Sequence, residues 1–260
     1  MKKTKLLVSV SVIVVLSIFL FAENSLSIPP AKNSFRTEQK AYPKVKTAYD
    51  LKFEGIKKRL VELGVDSNSL NVFIRVFKQE KAVEVWVKSN KNQAYQLYQS
   101  YPICSSSGTL GPKRCQGDGQ VPEGFYHVSV FNPLSDYLIS LGVSYPNASD
   151  AHFGCKGDKG GAIMIHGNCV TIGCIPITDD KIREVYVLAV EARNNGQENI
   201  PIHIFPTKLT TEELAAIKSE FPDKQTGIFW DNLKEGYDKF EATKLVPDVT
   251  IDKEGKYIFK

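Results

Sequence analysis

A histidine and a cysteine close together in the chain have the residue types and the spacing for nucleophilic catalysis. His166 ends a strand-like apolar run, and Cys174 follows eight residues later, directly after Gly173. A thiol attacks as its thiolate, so it needs a base within hydrogen-bond reach. A histidine at the end of a strand and a cysteine after the next turn can supply that pair. We therefore interpret Cys174 as a candidate nucleophile and His166 as its candidate base.

The cysteine count separates one thiol from four candidate disulfide partners. The chain has five cysteines: Cys104, Cys115, Cys155, Cys169 and Cys174. An odd number in an exported chain leaves one thiol unpaired. A Cys104–Cys115 bond would close one long loop, and a Cys155–Cys169 bond would tie a glycine-rich loop to the segment that carries the candidate base. Four cysteines allow three pairings, and sequence order alone does not choose among them.

Two other interpretations of the cysteines stay open at this point. Cys169 is a rival nucleophile if it is not in a disulfide, although we favour its pairing with Cys155. A metal site is the second alternative, but the chain has no C-x-x-C pair and no paired histidines at ligand spacing. We therefore expect no metal and no cofactor.

The N-terminus has the pattern of a secretory signal. A basic start, Met1–Lys5, precedes an apolar run from Leu6 to Phe21 that ends at Ala22. Such a run is short for a bilayer crossing, so we interpret residues 1–22 as a signal peptide, with an uncleaved membrane anchor as the alternative. The pattern predicts export, with membrane contact only through this segment.

The charge balance argues against a nucleic-acid partner. The formal net charge is +4, from 33 basic and 29 acidic residues, and Lys2, Lys3 and Lys5 of the predicted leader carry three of these charges. The mature chain is therefore close to neutral and lacks the clearly basic domain that nucleic-acid binding needs. Peptide and polymer substrates are compatible with this balance.

Hydrophobic periodicity predicts an α+β fold that is mainly β. Residues 23–47 contain Pro29-Pro30 and Pro43 with little periodicity, which predicts an extended linker. Helical spacing occurs at 49–63, 179–194, 210–221 and 228–240, and β-rich runs occur at 71–77, 82–87, 94–101, 124–131, 137–145, 162–166 and 200–205. We assign 48–208 to a catalytic domain and 209–260 to a helical C-terminal extension that packs on its core.

Two long loops, 102–123 and 146–161, interrupt the β-rich runs. Loops of this length are uncommon in a compact domain unless they line a site or are cross-linked. His152 lies in the second loop and is a candidate substrate contact. His127 and His203 lie within strand-like runs, where a histidine in the core is the simpler interpretation.

The segment 160–177 (GGAIMIHGNCVTIGCIPI) resembles the catalytic signature of the L,D-transpeptidase, or YkuD-type, domain, and more narrowly of its murein YafK/DpaA-like branch. Further similar motifs are GDGQVPEGFY at 117–126, FNPLSDY at 131–137, SYPN at 144–147 and PIHIFP at 201–206. Together these motifs cover about residues 70–208.

The sequence departs from the broader family in two places. Ile172 stands where a histidine is common, and 175–177 (IPI) follows the cysteine where an arginine often does. The short spacing between His166 and Cys174 is similar to that of the YafK-like branch. The second departure leaves open how a carboxylate of the donor substrate is held.

The resemblance implies a YkuD-like β-sandwich of mixed sheets with a few flanking helices. It also implies acyl transfer through a thioester on Cys174, with His166 as proton donor and acceptor and the backbone at Gly173 stabilising the oxyanion. The residues that would contact the substrate are Gly167, Thr171, His152 and Tyr126.

The implied substrates are peptidoglycan stem peptides that contain diaminopimelate, in the periplasm or envelope of a bacterium, with a murein-linked lipoprotein as a further partner. An amine acceptor would make the protein a transpeptidase. Water would make it an L,D-carboxypeptidase or an amidase-type hydrolase. A catalytically silent cell-wall-binding module is the alternative from another functional class.

Overall fold

The computed structural model describes residues 34–89 and 93–260. The predicted signal peptide, 1–22, and the first part of the predicted linker lie outside these residues. Within the two described ranges, no helix has both the length and the apolar character needed to cross a bilayer.

Two helices at the start of the described chain replace part of the predicted linker. Helix α1 spans Phe35–Lys40 and helix α2 spans Pro43–Glu62. The expectation of an extended chain up to residue 47 is therefore wrong for its described part. Ser34 caps α1 with its side chain, and Pro43 lies at the start of α2, where its missing N–H leaves no hydrogen bond unmade.

Within the described residues, eight strands form the central mixed sheet. They are β1 (Asn71–Phe77), β2 (Ala82–Lys88), β3 (Gln96–Pro102), β4 (Gly124–Asn132), β5 (Ser140–Val143), β6 (Met164–His166), β7 (Ile175–Pro176) and β8 (Pro201–Phe205). Their order is β3-β2-β1-β8-β4-β5-β6-β7, with β1/β8 and β6/β7 parallel and the other neighbours antiparallel. The predicted α+β class with a mixed sheet is confirmed.

Strand β4 belongs to both halves of this sheet. Its first residues, 124–127, pair with β8, and its later residues pair with β5 across a register shift between Val128 and Val130. A β-bulge of this kind bends a strand and increases its local twist. Strands β6 and β7 lie at the far edge of the second half, where they carry the candidate pair.

Two further helices flank the strands of the second half. Helix α3 spans Ala148–Phe153, and helix α4 spans Thr178–Asn194 and begins two residues after β7. The inner face of α4 is fully buried, as at Ile182 and Leu188. Asp179 in its first turn accepts the Asn168 amide at 2.8 Å. Helix α4 therefore anchors the turn that connects β6 to β7.

The C-terminal extension contains a hairpin as well as helices. Its elements are α5 (Thr211–Glu220), α6 (Lys224–Thr243), β9 (Val249–Ile251) and β10 (Tyr257–Phe259). Strands β9 and β10 pair with each other in an antiparallel hairpin. The extension predicted as helical over 209–260 therefore also contains a hairpin, whose strands are too short to show a periodic pattern in the sequence.

Strand β1 is buried on both faces because the extension covers its outer side. Val72 and Val76 belong to the main core, whereas Phe77 packs in a second cluster with Trp230 and Leu233 of α6. Alternate side chains of a strand point to opposite faces, which explains the division. The extension thus completes a second hydrophobic core rather than forming a separate domain.

Candidate active site around Cys174

Two neighbouring parallel strands carry the candidate pair. His166 is the last residue of β6 and pairs with Pro176 of β7, while Cys174 immediately precedes β7. This register puts Cys174 level with Met164, two residues before His166 on β6. Because alternate residues along a strand point to the same face, we infer from this register that the side chains of His166 and Cys174 point to the same side of the sheet.

The His166 imidazole is held in one tautomer. Its Nδ1 lies within hydrogen-bond distance of the Gly167 carbonyl oxygen, and a carbonyl only accepts, so Nδ1 carries the proton. Its Nε2 is buried and has no hydrogen-bond partner among the described residues. Burial lowers the pKa of His166, so the ring is neutral and Nε2 presents a lone pair. That lone pair can accept a proton from a thiol.

The Cys174 thiol is half-buried and, among the five cysteines, which all lie in the described chain, is the one left free. Its Sγ lies 3.6 Å from the Ala162 carbonyl oxygen. Burial raises the pKa of this thiol, while the backbone amide of Met164 and the positive charge of Lys113 oppose the rise. A raised pKa keeps the thiol protonated at neutral pH, so its attack needs a base.

Two disulfides cross-link the loops around this pair. Cys104 is bonded to Cys169 and Cys115 to Cys155, with Cα separations of 5.4 and 5.6 Å. The pairings Cys104–Cys115 and Cys155–Cys169 that we considered from the sequence are therefore corrected. Because Cys169 is in a disulfide, it is not a free thiol that could rival the candidate nucleophile.

Long-range backbone contacts explain this nested pairing. The Cys104 amide donates to the Pro176 carbonyl at 3.0 Å, which brings Cys104 beside the turn that contains its partner. The Cys155 amide donates to the Arg114 carbonyl at 3.2 Å. This bond brings Cys155 beside its partner Cys115, which is the next residue after Arg114. Spacing along the chain carries no information about such contacts.

Thr171 shapes the turn that leads to the thiol. Its hydroxyl donates to the Cys174 carbonyl at 2.7 Å and accepts the Gly173 amide at 3.1 Å. Gly173 has a φ of +132°, and a Cβ there would lie 3.1 Å from the Gln120 carbonyl oxygen, so the position favours glycine. One expectation is corrected, because the Gly173 N–H, predicted for the oxyanion, is already bonded to Thr171. The contact of Thr171 with substrate stays a prediction, and its hydroxyl is bonded to the backbone.

Gly167 supports the imidazole instead of lining a substrate site. Its carbonyl accepts the His166 Nδ1–H, and its amide donates to the Tyr137 carbonyl at 3.1 Å. A Cβ at this position would collide with the Asp179 carboxylate, so there is no room for a side chain. The predicted substrate contact at Gly167 is therefore corrected to a positioning role.

The structure does not bring the other two predicted substrate contacts to the thiol. Tyr126 is buried, and its hydroxyl donates to Asp150 Oδ2 at 3.0 Å within the core. His152 is exposed on α3, where its ring packs against Phe153. Neither is among the described residues that line the cavity beside Cys174. Both expectations are corrected, because Tyr126 is bonded to Asp150 in the core and His152 lies on the exposed side of α3.

A cavity of about 370 Å³ opens beside Cys174. Its walls include Lys78 and Lys81 from the β1–β2 turn, the hydroxyl-rich segment 105–109, and Phe221 between α5 and α6. A volume of this size is within the usual range of small-ligand pockets. The C-terminal extension, through Phe221, thus contributes directly to the site.

A buried ion pair joins the cavity wall to the extension. Lys78 Nζ lies 2.9 Å from Glu123 Oε1, and the Trp230 indole donates to Glu123 Oε2 at 2.8 Å. The Gly111 amide donates to Glu123 Oε1, also at 2.8 Å. Glu123 is fully buried, so these donors compensate the cost of removing its charge from water.

Sequence reasoning missed two residues near the pair. The Tyr137 ring stacks on the His166 ring, with centroids 4.6 Å apart. Lys113 is buried, and its Nζ bonds Asp118 Oδ1 at 2.7 Å and the Cys115 carbonyl at 2.8 Å. Tyr137 ends one of the motifs that resemble the family, which was a usable signal. An isolated lysine in a loop gave none.

The remaining histidines do not form a metal site. His203 is buried between the rings of Phe73 and Phe125, at centroid distances of 4.5 and 4.6 Å, and burial lowers its pKa well below the ordinary value. His127 is exposed on β4. Within the described parts of the chain, no three His, Cys, Asp or Glu side chains gather to hold a metal ion.

Sequence comparison identifies a family and a well-matched relative. Residues 71–204 match the YkuD family model, which is described as the L,D-transpeptidase catalytic domain. The chain is 40% identical over 190 residues to YafK of Escherichia coli K12, whose name provisionally describes it as an L,D-transpeptidase. The match covers 72% of this chain and 73% of YafK, and it is the same for the protein of strain O157:H7.

The solved structures that match the chain are more distant. The helical cell shape determining protein Pgp2 from Campylobacter jejuni is 19% identical, with a TM-score of 0.41 over 75% of this chain and 80% of that one. L,D-transpeptidase 1 of Mycobacterium tuberculosis is 12% identical, with a TM-score of 0.30 over 52% of this chain and 62% of that one. The assignment to a family therefore depends on the sequence matches.

Proposed function

The chain belongs to the L,D-transpeptidase (YkuD) catalytic domain family, and from that membership we propose that it is a peptidoglycan-modifying cysteine acyl transferase of cell-wall biogenesis or remodelling. The donor is a stem peptide that contains diaminopimelate, and the covalent intermediate is a thioester on Cys174. The single observation that carries the proposal is the unpartnered, buried Nε2 of His166, on the strand that pairs with the one directly after the free thiol.

The first half-reaction forms the thioester. Cys174 Sγ attacks the carbonyl of the diaminopimelate L-centre, at the bond to the following D-amino acid, while His166 Nε2 takes the thiol proton. The tetrahedral intermediate collapses as the C–N bond breaks, and His166 returns the proton to the leaving amine. Because the Gly173 amide donates to Thr171, we assign the oxyanion to the backbone N–H of Cys174.

The second half-reaction regenerates the thiol. An amine or a water molecule attacks the thioester carbonyl and gives a proton to His166, the C–S bond breaks, and the Cys174 thiolate recovers that proton. An amine acceptor yields a cross-link or attaches a protein such as a murein-linked lipoprotein. Water as the acceptor trims the stem or releases such a lipoprotein. The thiol is only half-buried, which is compatible with access of water to the thioester.

The cavity beside Cys174 is the proposed donor site. Lys81 lies on the exposed β1–β2 turn that lines it and takes part in no ion pair formed by the described residues. Lys78, by contrast, is engaged with Glu123. We assign Lys81 to a carboxylate of the donor, a role that fits the absence of an arginine directly after the cysteine.

The proposed location is the periplasm or cell envelope. The predicted signal peptide, 1–22, would direct export, and two disulfides fit an oxidising compartment. Membrane contact would be limited to the N-terminal segment. A catalytically silent wall-binding module remains the alternative function, since a thiol with a raised pKa is unreactive without its base.

Mass spectrometry of purified tetrapeptide muropeptides incubated with the mature protein tests the proposal. We expect cross-linked dimers or trimmed tripeptides, and neither product with Cys174→Ala. Iodoacetamide should find one fast-reacting thiol that disappears in Cys174→Ala and reacts more slowly in His166→Ala. Unchanged muropeptides together with a resistant Cys174 would favour the silent module instead.

A further inference from the structure

A second cavity, of about 410 Å³, is lined by Arg114. The end of α3 contributes Phe153 to its wall, and the first half of α6 contributes Ile228 and Phe229. Among the described residues, no residue lines both this cavity and the one beside Cys174. The second cavity is therefore separate from the proposed catalytic site.

The Arg114 side chain lies against two aromatic rings in this wall. Its guanidinium carbon lies 5.4 Å from the Phe153 ring centroid and 5.2 Å from the Phe229 ring centroid. Its backbone is also fixed, because its amide donates to Asp118 Oδ2 at 2.8 Å and its carbonyl accepts the Cys155 amide. Stacking of this kind fixes the plane of a guanidinium, whose charge persists at any physiological pH.

One nitrogen of this guanidinium lacks an acceptor. Arg114 Nη1 is buried and has no hydrogen-bond partner among the described residues. That nitrogen is closed off from solvent, but the Arg114 side chain lines the cavity and takes part in no ion pair among the described residues. An anion in the cavity would gain a charge-assisted hydrogen bond from the guanidinium, whose planar shape suits a carboxylate.

The surrounding charges favour an anion with a single charge. Asp231 pairs with Lys218, and Glu235 lies 3.4 Å from Lys256 in an ion pair. With these acidic groups already neutralised, Arg114 is the unpaired charge of the wall among the described residues. A single guanidinium balances the charge of one carboxylate but only half the charge of a phosphate dianion. The apolar rings, in turn, suit a hydrocarbon group.

We propose that this cavity is a binding site for a carboxylate carried on a small apolar body, such as the C-terminal residue of a short peptide. The Arg114 guanidinium donates to the carboxylate, and the apolar body packs against Ile228 and Phe229. The proposal does not depend on the proposed function, because it needs neither the thiol nor a thioester.

Calorimetric titration of the full chain carrying Cys174→Ala tests this site without interference from the thiol. The probe is N-acetyl-L-phenylalanine, and its controls are the matching amide, N-acetyl-L-phenylalaninamide, and inorganic phosphate. We expect saturable binding of the carboxylate with one site per chain, at least tenfold weaker binding of the amide, and no binding of phosphate. Equal affinity for the acid and the amide, or for phosphate, would overturn the proposal.

Two arginine variants localise the binding. Arg114→Gln should weaken the probe at least tenfold, whereas Arg59→Gln, which alters an exposed ion pair on α2, should leave the affinity within twofold. Undiminished binding in Arg114→Gln overturns the proposal. If Arg114→Gln does not fold, phenylglyoxal labelling decides instead: the probe should protect Arg114 but not Arg59, and labelling of Arg114 at an unchanged rate would contradict the site.

Discussion

The phenol ring of Tyr137 stacks on the imidazole of His166, with ring centroids 4.6 Å apart and 29° between the ring planes. The Tyr137 carbonyl also accepts the Gly167 amide at 3.1 Å, next to the carbonyl that bonds His166 Nδ1. The loop between β4 and β5 therefore orients the candidate base through both its side chain and its backbone.

Removing the Tyr137 ring should slow thioester formation. In Tyr137→Ala the imidazole loses the surface that fixes its plane, and a displacement of the base by about 1 Å can lower the rate by up to about 100-fold. Tyr137→Phe keeps the stack and should remain within about twofold of the natural protein. Single-turnover measurement of acyl-enzyme formation by mass spectrometry separates the two variants. Equal rates for Tyr137→Ala and Tyr137→Phe would show that the stack does not orient the base.

The pKa shifts of the pair predict a broad pH optimum for kcat/KM. Burial lowers the pKa of His166, so the imidazole stays neutral down to pH values below the ordinary histidine pKa of about 6.5. Burial raises the pKa of Cys174, so the proton that reaches the leaving amine stays available up to a pH above about 8.5. The acidic and alkaline limbs of the pH profile report apparent pKa values of the coupled His166–Cys174 pair, not of either residue alone.

A pH–rate series with a stem-peptide substrate checks this profile. His166→Ala, which removes the neutral base, should lose the acidic limb and serves as the control. A narrow optimum with its alkaline limb below about pH 8 would contradict the predicted direction of the thiol pKa.

Thr171→Val should destabilise the turn before the thiol. The variant removes one hydroxyl that both donates to the Cys174 carbonyl and accepts the Gly173 amide. At roughly 0.5–1.5 kcal/mol for each hydrogen bond, we expect a loss of about 1–3 kcal/mol. Thr171→Ser keeps the hydroxyl and is the matched control. Urea unfolding measures the free energy of unfolding of both variants. Equal values for Thr171→Val and Thr171→Ser would show that the hydroxyl does not stabilise this turn.

The two disulfides should differ in their effect on activity. Their partners are 65 and 40 residues apart in the chain, so loss of either bond should lower the free energy of unfolding by about 4 kcal/mol on the chain-entropy account. Cys104→Ser/Cys169→Ser frees the turn between His166 and Cys174 and should also lower kcat. Cys115→Ser/Cys155→Ser is the matched control with a smaller effect on kcat.

Non-reducing peptide mapping of the exported protein checks the pairing directly. We expect one linked peptide pair that contains Cys104 and Cys169, and a second that contains Cys115 and Cys155. Recovery of a peptide that links Cys104 to Cys115 would refute the nested arrangement.

Loss of Glu123 should destabilise the junction between the cavity wall and the extension. Glu123→Ala leaves Lys78 buried without its carboxylate, so the free energy of unfolding should fall by about 3–5 kcal/mol. Glu123→Leu combined with Lys78→Met removes both charges and should recover a substantial part of that free energy. Thermal unfolding at several denaturant concentrations compares the two. If the double variant is no more stable than Glu123→Ala, the ion pair is not the origin of the loss.

The spacing of apolar residues along the chain predicted most elements of the fold, because this spacing reflects which side of a single helix or strand is buried. The β-rich run at 71–77 predicted β1, and the helical spacing at 179–194 predicted α4. It failed at 35–47, where the charged, proline-containing sequence hides helices that tertiary contacts stabilise. Tyr49, in α2, donates to Glu191 in α4 at 2.6 Å, a contact between residues that are far apart in the chain.

For the candidate site, the sequence by itself determined the chemistry: a thiol, an imidazole eight residues before it, and glycines around them that leave room for a tight turn. Only the tertiary structure decided which groups are available. It assigned Cys169 to Cys104, engaged the Gly173 amide with Thr171, stacked Tyr137 on His166, and made Phe221 part of the cavity. The physical reason is that hydrogen bonds, disulfides and ring contacts depend on distances in space, which the order of residues does not contain.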